Sequence, residues 1–66
     1  MNKYYIGKRV RIVGDHPHKG KTGTVVGIES TLAGYGYKID LDDKSTASAC
    51  FVFSMLEMMV LPEQEV

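Results

Sequence analysis

Cysteine is almost absent from this sequence, so disulfide bonds cannot stabilise the fold. Cys50 is the only cysteine among 66 residues, tryptophan does not occur, and there are two prolines. A lone thiol is more typical of a reducing cytosol than of a disulfide-rich secreted scaffold. Because 44% of the residues are hydrophobic, one small core can still form, and a chain of this length predicts a single domain, residues 1–66.

Long apolar runs are missing as well. The longest, residues 49–53 and 58–61, are far shorter than the roughly 20 residues that a membrane-spanning helix needs. Residues 1–7 lack the apolar stretch and small-residue cleavage pattern of a signal peptide. We therefore expect a cytoplasmic protein without a membrane partner.

Neither sign of charge is in excess, since eight basic and eight acidic residues balance. Their distribution is uneven, however. Residues 1–21 hold six basic residues and one acidic residue, a net charge of +5, and residues 22–66 hold two and seven, a net charge of −5. One interpretation is a basic face, which attracts polyanions, opposite an acidic face. The other is scattered charge that keeps a small domain soluble, and both stay open.

The apolar residues that are present alternate with polar ones, which predicts β-strands. Val10 and Ile12 share one face of such a strand, with Arg9 and Arg11 on the other. Internal glycines in the second β-branched run indicate a bulge or a bend. In all, five strands are predicted, at residues 10–13, 22–28, 35–41, 46–53 and 58–61.

Turn-forming residues separate these strands. We predict a polar loop at residues 14–20, a second loop at 29–34 and a tight hairpin turn at 42–45. Ser54 and Glu57 have the Ser-x-x-Glu form of a capping box, which predicts one helical turn before the last strand. Residues 63–66 are expected to fray. The fold class is therefore all-β, and we expect so short a sheet to close into a five-stranded barrel, because closure removes exposed edges.

Residues 7–28 resemble the KOW motif of NusG-type transcription elongation factors and of several ribosomal proteins. The stretch contains an alternating apolar strand, Gly14, a polar loop, a Gly-basic-x-Gly step from Gly20 to Gly23, and a second apolar strand. The resemblance implies an SH3-like β-barrel filled by Val10, Ile12 and Val25. Gly20 and Gly23 would permit positive φ or a close backbone approach. Residues 53–62 resemble the single helical turn and last strand of many SH3-like domains.

The resemblance also implies a small, non-catalytic accessory module that binds RNA or a transcription or translation ribonucleoprotein. Carried over to this sequence, the nucleic-acid-binding candidates are Lys8, Arg9, Arg11, His16, His18, Lys19 and Lys21. Their basic groups can neutralise phosphates, and bases can stack on histidine or on Tyr4 and Tyr5. A solvated polar face beside a packed tyrosine pair is the alternative interpretation.

A protein-interaction adaptor or inhibitor that docks on a larger enzyme is the rival hypothesis, because similar barrels serve both kinds of contact. Its candidate residues are Glu29, Asp40, Asp42, Asp43, Met55, Met58 and Met59. Alternation allows only one of Met58 and Met59 to point inward, which leaves the other as an exposed apolar contact. The oligomeric state is not predicted.

Catalysis, cofactors and metal ions are not expected. His16 and His18, with Cys50 distant, do not supply a tetrahedral ligand set. Asp42 and Asp43 lie in a predicted turn, and a barrel of this size has little volume for a substrate cleft. Cys50 has no basic neighbour in sequence, so we expect a buried, inert thiol.

Overall fold

The computed structural model describes residues 1–63 and contains five short strands and two 3-10 turns. The strands are β1 (Arg9–Ile12), β2 (Thr22–Thr31), β3 (Gly34–Leu41), β4 (Ala49–Val52) and β5 (Met58–Val60). The 3-10 turns are Lys3–Tyr5 and Met55–Glu57. The all-β class, the five strands and the turn before the last strand are thus confirmed. The fraying predicted at residues 63–66 falls, after Glu63, outside the described residues.

The strands form one antiparallel sheet in the order β4-β3-β2-β1-β5. β2 is central: it pairs with β1 at Gly23, opposite Val10, and with β3 at Val25, opposite Ile39. In the described part of the chain β4 and β5 are both edge strands, so strand pairing does not close the sheet into the expected barrel. The short connection at residues 53–57 bridges these two strands instead.

Alternation along the strands places one apolar face inside the molecule. Val10, Ile12 and Val25 have no exposed surface, as expected of inward-facing strand residues. The buried core consists of Val10, Ile12, Val25, Tyr37, Ile39, Leu41, Cys50, Val52 and Met58. No polar side chain of residues 1–63 is buried. The core is therefore apolar, and the full burial of each large apolar side chain stabilises the fold by about 1.5–3 kcal/mol.

The loop predicted at residues 29–34 is wrong, because β2 and β3 form a long hairpin there. Only Leu32 and Ala33 lie between the two strands. Gly34 has a φ of 107°, the conformation that a bulged hairpin turn requires of its glycine. Thr31 Oγ1 accepts a hydrogen bond from the Ala33 N–H at 3.1 Å. Tyr35 lies on the same face of β3 as buried Tyr37 and Ile39, but it is 66% exposed because this part of the hairpin extends beyond the core.

The prediction of a tight turn at residues 42–45 is also wrong. The β3–β4 connection spans residues 42–48, so β4 begins at Ala49 rather than at Thr46. Lys44 Nζ organises this connection by donating to the carbonyls of Leu41 at 2.8 Å and of Ser48 at 3.3 Å. These hydrogen bonds stabilise a loop that is longer than a tight hairpin turn.

Two glycines of β2 have different roles. The β2–β3 register shifts between Val25 and Gly27, which confirms a bulge. Gly23 does not have positive φ. A Cβ there would overlap the Asp40 carbonyl oxygen and lie 2.8 Å from Ile39 Cγ2, so this glycine allows close strand packing.

The predicted capping box begins the second 3-10 turn. Ser54 Oγ accepts from the Leu56 N–H at 3.1 Å, and Glu57 Oε1 accepts from the Phe53 N–H at 3.3 Å. The turn leads directly into β5. No helical segment of the described chain has the length and apolar character to cross a membrane.

Candidate functional site

Arg9 and Arg11 lie on the outer face of β1, opposite the core residues of that strand. Arg9 Nη1 donates to Asp42 Oδ1 at 2.8 Å and to Thr24 Oγ1 at 3.0 Å, and Nη2 donates to Asp42 Oδ2. Asp42 also accepts from Thr22 Oγ1 at 3.0 Å. The guanidinium and the carboxylate therefore form a bidentate pair, which connects β1 to the end of β3 across β2.

These contacts stabilise the ionised carboxylates of the β3–β4 connection. The hydrogen bond from Arg9, with a second from Thr22, lowers the pKa of Asp42 to about 2, and the same pair raises the pKa of Arg9. Lys21 Nζ donates to Asp43 Oδ2 at 2.9 Å. This bond and those from Ser45 hold the pKa of Asp43 well below its usual range. Both carboxylates are therefore charged at neutral pH and neutralise their basic partners.

Three further charged candidates, Lys8, Glu29 and Asp40, also lie in ion pairs. Lys38 Nζ lies 3.4 Å from Glu29, and Lys44 Nζ lies 2.6 Å from Asp40. Lys8 Nζ lies 3.3 Å from Glu63 Oε1 and 5.0 Å from the Tyr4 ring centroid. The basic and acidic parts of the chain thus interleave instead of forming two faces. Among the described residues, the basic side chains without a carboxylate partner are Lys3, Arg11 and Lys19.

His16 attaches the β1–β2 loop to β4. Its Nδ1 accepts from the His18 N–H at 3.0 Å, so Nε2 carries the proton and donates to the Phe51 carbonyl at 2.8 Å. Both ring nitrogens are therefore used within the fold. The His18 ring lies 5.8 Å from that of His16. Residues 1–63 contain no group of three or more His, Cys, Asp or Glu side chains that could hold a metal ion.

The two N-terminal tyrosines differ in exposure. Tyr5 is half-buried, with its ring edge-on to Tyr37 at 5.8 Å. Tyr37 donates its hydroxyl to the Asn2 carbonyl at 2.7 Å, which fixes the first 3-10 turn on the core. Only the exposed ring of Tyr4 offers a contact surface.

Exposed apolar residues lie in and near the second 3-10 turn. Met55 is 45% exposed and Leu56 is 84% exposed. Met55 also lines a shallow depression with Tyr4 and Val60, and Lys8 and Glu63 form its charged rim. We call Tyr4, Met55, Leu56 and Val60 the apolar end.

The methionines of β5 point to opposite sides. Met58 is buried in the core, so it is not available for docking, whereas Met59 is exposed opposite Arg11 of β1. The sequence analysis did not place Leu56 among the candidate docking residues. Its position inside the capping box was a usable signal, because one short turn cannot bury all of its side chains.

A pair of aromatic rings at the end of β4 was missed too, with Phe51 half-buried and Phe53 exposed. The Phe51 and Phe53 rings stack at 6.4 Å with an interplanar angle of 28°, and Phe53 covers Gly36 of β3. Alternation around buried Val52 would have placed both rings outside. Cys50 is buried, and burial raises the pKa of its thiol.

Comparisons of the chain with protein-family models, with curated proteins and with solved structures gave no match. The resemblance to the KOW motif therefore depends on the motif residues alone. The function must be argued from the charge pairing and the apolar end.

Proposed function

We propose that this protein is a small, non-catalytic binding module that docks onto another protein through the apolar end. The proposal rests on the exposure of Leu56. This large apolar residue is 84% exposed and lies next to Met55 in the same turn. Contiguous exposed apolar groups mark interaction sites. Complete burial of a leucine side chain is worth about 1.5–3 kcal/mol, and methionine adapts to the shape of a partner.

The charge pairing favours a protein partner over RNA. A phosphate that binds Arg9 or Lys21 must first displace Asp42 or Asp43. Affinity for nucleic acid depends on the number of phosphates that a protein neutralises, and few free basic groups remain for this purpose. The acidic residues Glu29 and Asp40 are paired as well, so the apolar end is a better docking surface than the acidic residues.

We further propose that the sheet is an SH3-like domain with a KOW-type β1–β2 unit. Three features support this: the strand order β4-β3-β2-β1-β5, the 3-10 turn before β5, and the bulge in β2. The bulge divides β2 into one part beside β1 and another that pairs only with β3. A small barrel of this type would present the apolar end where β4 and β5 approach each other.

Variants of the apolar end test the docking proposal. Leu56→Asp places a charge at the most exposed residue of the apolar end and should leave the fold intact. Thr46→Asp adds the same charge at an exposed site in the β3–β4 connection and is the matched control. We expect immobilised wild-type protein and the Thr46→Asp variant to retain the same proteins from a nuclease-treated lysate, and Leu56→Asp to lose them.

A different outcome would favour nucleic acid. If nuclease treatment removed the retained proteins, and Arg11→Glu abolished retention while Leu56→Asp did not, the partner would be RNA or a ribonucleoprotein. Thermal midpoints of all variants must match that of the wild type, so that lost folding is not mistaken for lost binding.

A further inference from the structure

Two edges of the sheet carry protection against pairing with other strands. The backbone N–H and C=O groups of an edge strand are free to pair, and native proteins cover or interrupt them. On β4, His16 Nε2 occupies the outward carbonyl of Phe51. The β5 strand has only three residues and is followed by Pro62, which has no N–H to donate.

The distal half of β2 forms a third edge. β1 pairs with β2 from Thr22 to Thr24, and Gly7 and Lys8 extend this contact to Val25. β2 continues to Thr31, so residues 26–31 have β3 on one side and no strand on the other. On the far side of the hairpin, Phe53 covers Gly36. On that side β4 pairs with β3 from Tyr37 to Asp40 only, which leaves a short unpaired stretch at residues 34–36. In the described chain, residues 26–31 are therefore the longer unpartnered edge of the hairpin.

The register shows which backbone groups point towards this edge. Residues of an antiparallel strand direct their backbone groups alternately to either neighbour. The Leu41 N–H donates to the Ser48 carbonyl, so the backbone N–H and C=O groups of Leu41 point towards β4. Those of Tyr37, an even number of residues away in the same strand, point the same way. Ile28, which pairs with Tyr37, must then direct its N–H and C=O away from β3, and Ser30 does the same.

This edge has none of the protection found on β4 and β5. Residues 26–31 contain no proline and no lysine, and residues 30–37 contain no charged residue. Glu29 is the one charged residue, and it is paired with Lys38 at 3.4 Å. The bulge lies at the beginning of the edge, between Val25 and Gly27, and the register from Gly27 to Thr31 is regular. Exposed apolar side chains accompany it, with Leu32 at the tip and Tyr35 opposite Ser30.

We propose that a second copy of this chain pairs with residues 26–31, so that the two sheets join across a two-fold axis. Antiparallel pairing of two identical strands is isologous and closed. Each copy supplies at Ile28 and Ser30 the donors and acceptors that the other lacks. The edge offers no unpaired charge for a partner of opposite sign, whereas a second copy matches its uncharged, β-branched surface. Two-fold pairing also brings Ile28 and Tyr35 of both copies to the same face.

Sedimentation equilibrium over a wide concentration range tests this proposal, which is independent of the apolar end. The mass of the wild-type protein should rise from 7.3 kDa to twice that value and then stop. Ser30→Pro removes an outward N–H, and Ser30→Lys places like charges near the axis, so both should remain monomeric. Ser30→Thr keeps the N–H and the strand preference and should still dimerise.

Amide hydrogen exchange gives a second measurement on the unmodified protein. The N–H groups of Ile28 and Ser30 should exchange rapidly in dilute solution and become protected in proportion to the dimer fraction. The proposal is overturned if the protein stays monomeric at the highest concentration, or if the mass rises without limit. A dimer that Ser30→Pro and Ser30→Lys leave unchanged, or one without new protection at these amides, overturns it as well.

Discussion

Gly23 of β2 lies between two neighbouring strands, with Val10 of β1 on one side and Leu41 of β3 on the other. The space for a Cβ is already occupied by the Asp40 carbonyl oxygen and by Ile39 Cγ2. The first is part of a paired backbone and the second belongs to a buried core residue. Neither can move without disturbing the packing of β2 against β3.

We therefore expect Gly23→Ala to lower the free energy of unfolding by about 1–3 kcal/mol, the usual cost of overpacking. Gly27→Ala is the matched control, since it lies in the same strand, has no atom within 4 Å of the added Cβ and does not have positive φ. Urea denaturation of both variants measures the difference. Equal stabilities would show that the strands are less closely packed around Gly23.

At the scale of single elements, the β3–β4 connection depends on ionised carboxylates. The pKa of Asp42 is about 2 in the folded protein, below its ordinary value of 3.8, and the pKa of Asp43 is lowered by Lys21. A carboxylate with a depressed folded-state pKa adds stability above its unfolded pKa, and that stability disappears as the pH falls towards the folded value.

The thermal midpoint should therefore decrease between about pH 4 and pH 2, because protonation breaks the bonds to Arg9 and Lys21. A variant with Asp42→Asn and Asp43→Asn should show a smaller decrease over the same interval. Added salt should reduce the effect in the wild type, since both carboxylates are exposed and screened. Identical pH profiles for wild type and variant would show that these pairs do not affect stability.

Local pattern predicted most of the strands but few of the connections. Burial of alternate residues is a local property, so Val10, Ile12 and Ile39 could be assigned to the core from sequence. The turn at Leu32 and Ala33 has no glycine or proline at its centre, so the sequence pattern predicts a loop there and not a hairpin. The Arg9–Asp42 pair joins residues 33 positions apart, and no local pattern encodes such a contact. The candidate site was therefore only partly predictable.

At the scale of the whole molecule, acidic and basic side chains are equal in number, and most of them also form ion pairs. Each described acidic side chain from Glu29 to Asp43 has a lysine or arginine partner. Arg11 and Lys19 are the two KOW-derived basic candidates left without a carboxylate partner in the described residues. The molecule as a whole therefore offers little unneutralised positive charge for a long polyanion.

We expect only weak binding of single-stranded RNA at low salt. If Arg11 and Lys19 alone contact phosphates, the log–log slope against salt should be about −1.4, at roughly −0.7 per phosphate. Arg11→Glu should reduce binding, while Arg9→Glu should matter less. A slope near −3, with equal effects of both reversals, would mean that the ion pairs open for phosphate, and it would restore RNA as the leading partner.

The pairing of β1 with β5 also determines how the fold responds to mechanical force. The two strands are antiparallel, with Arg9 bonded to Leu61 at one end and Ile12 opposite Met58 at the other. Tension applied through the chain before β1 and after β5 enters at the Arg9–Leu61 end, so the hydrogen bonds break one after another instead of sharing the load. The contacts of Asn2 with Tyr37 and of Gly7 with Val25 bear the load first. Once they have opened, we expect β1 and β5 to separate before the β2–β3 hairpin does.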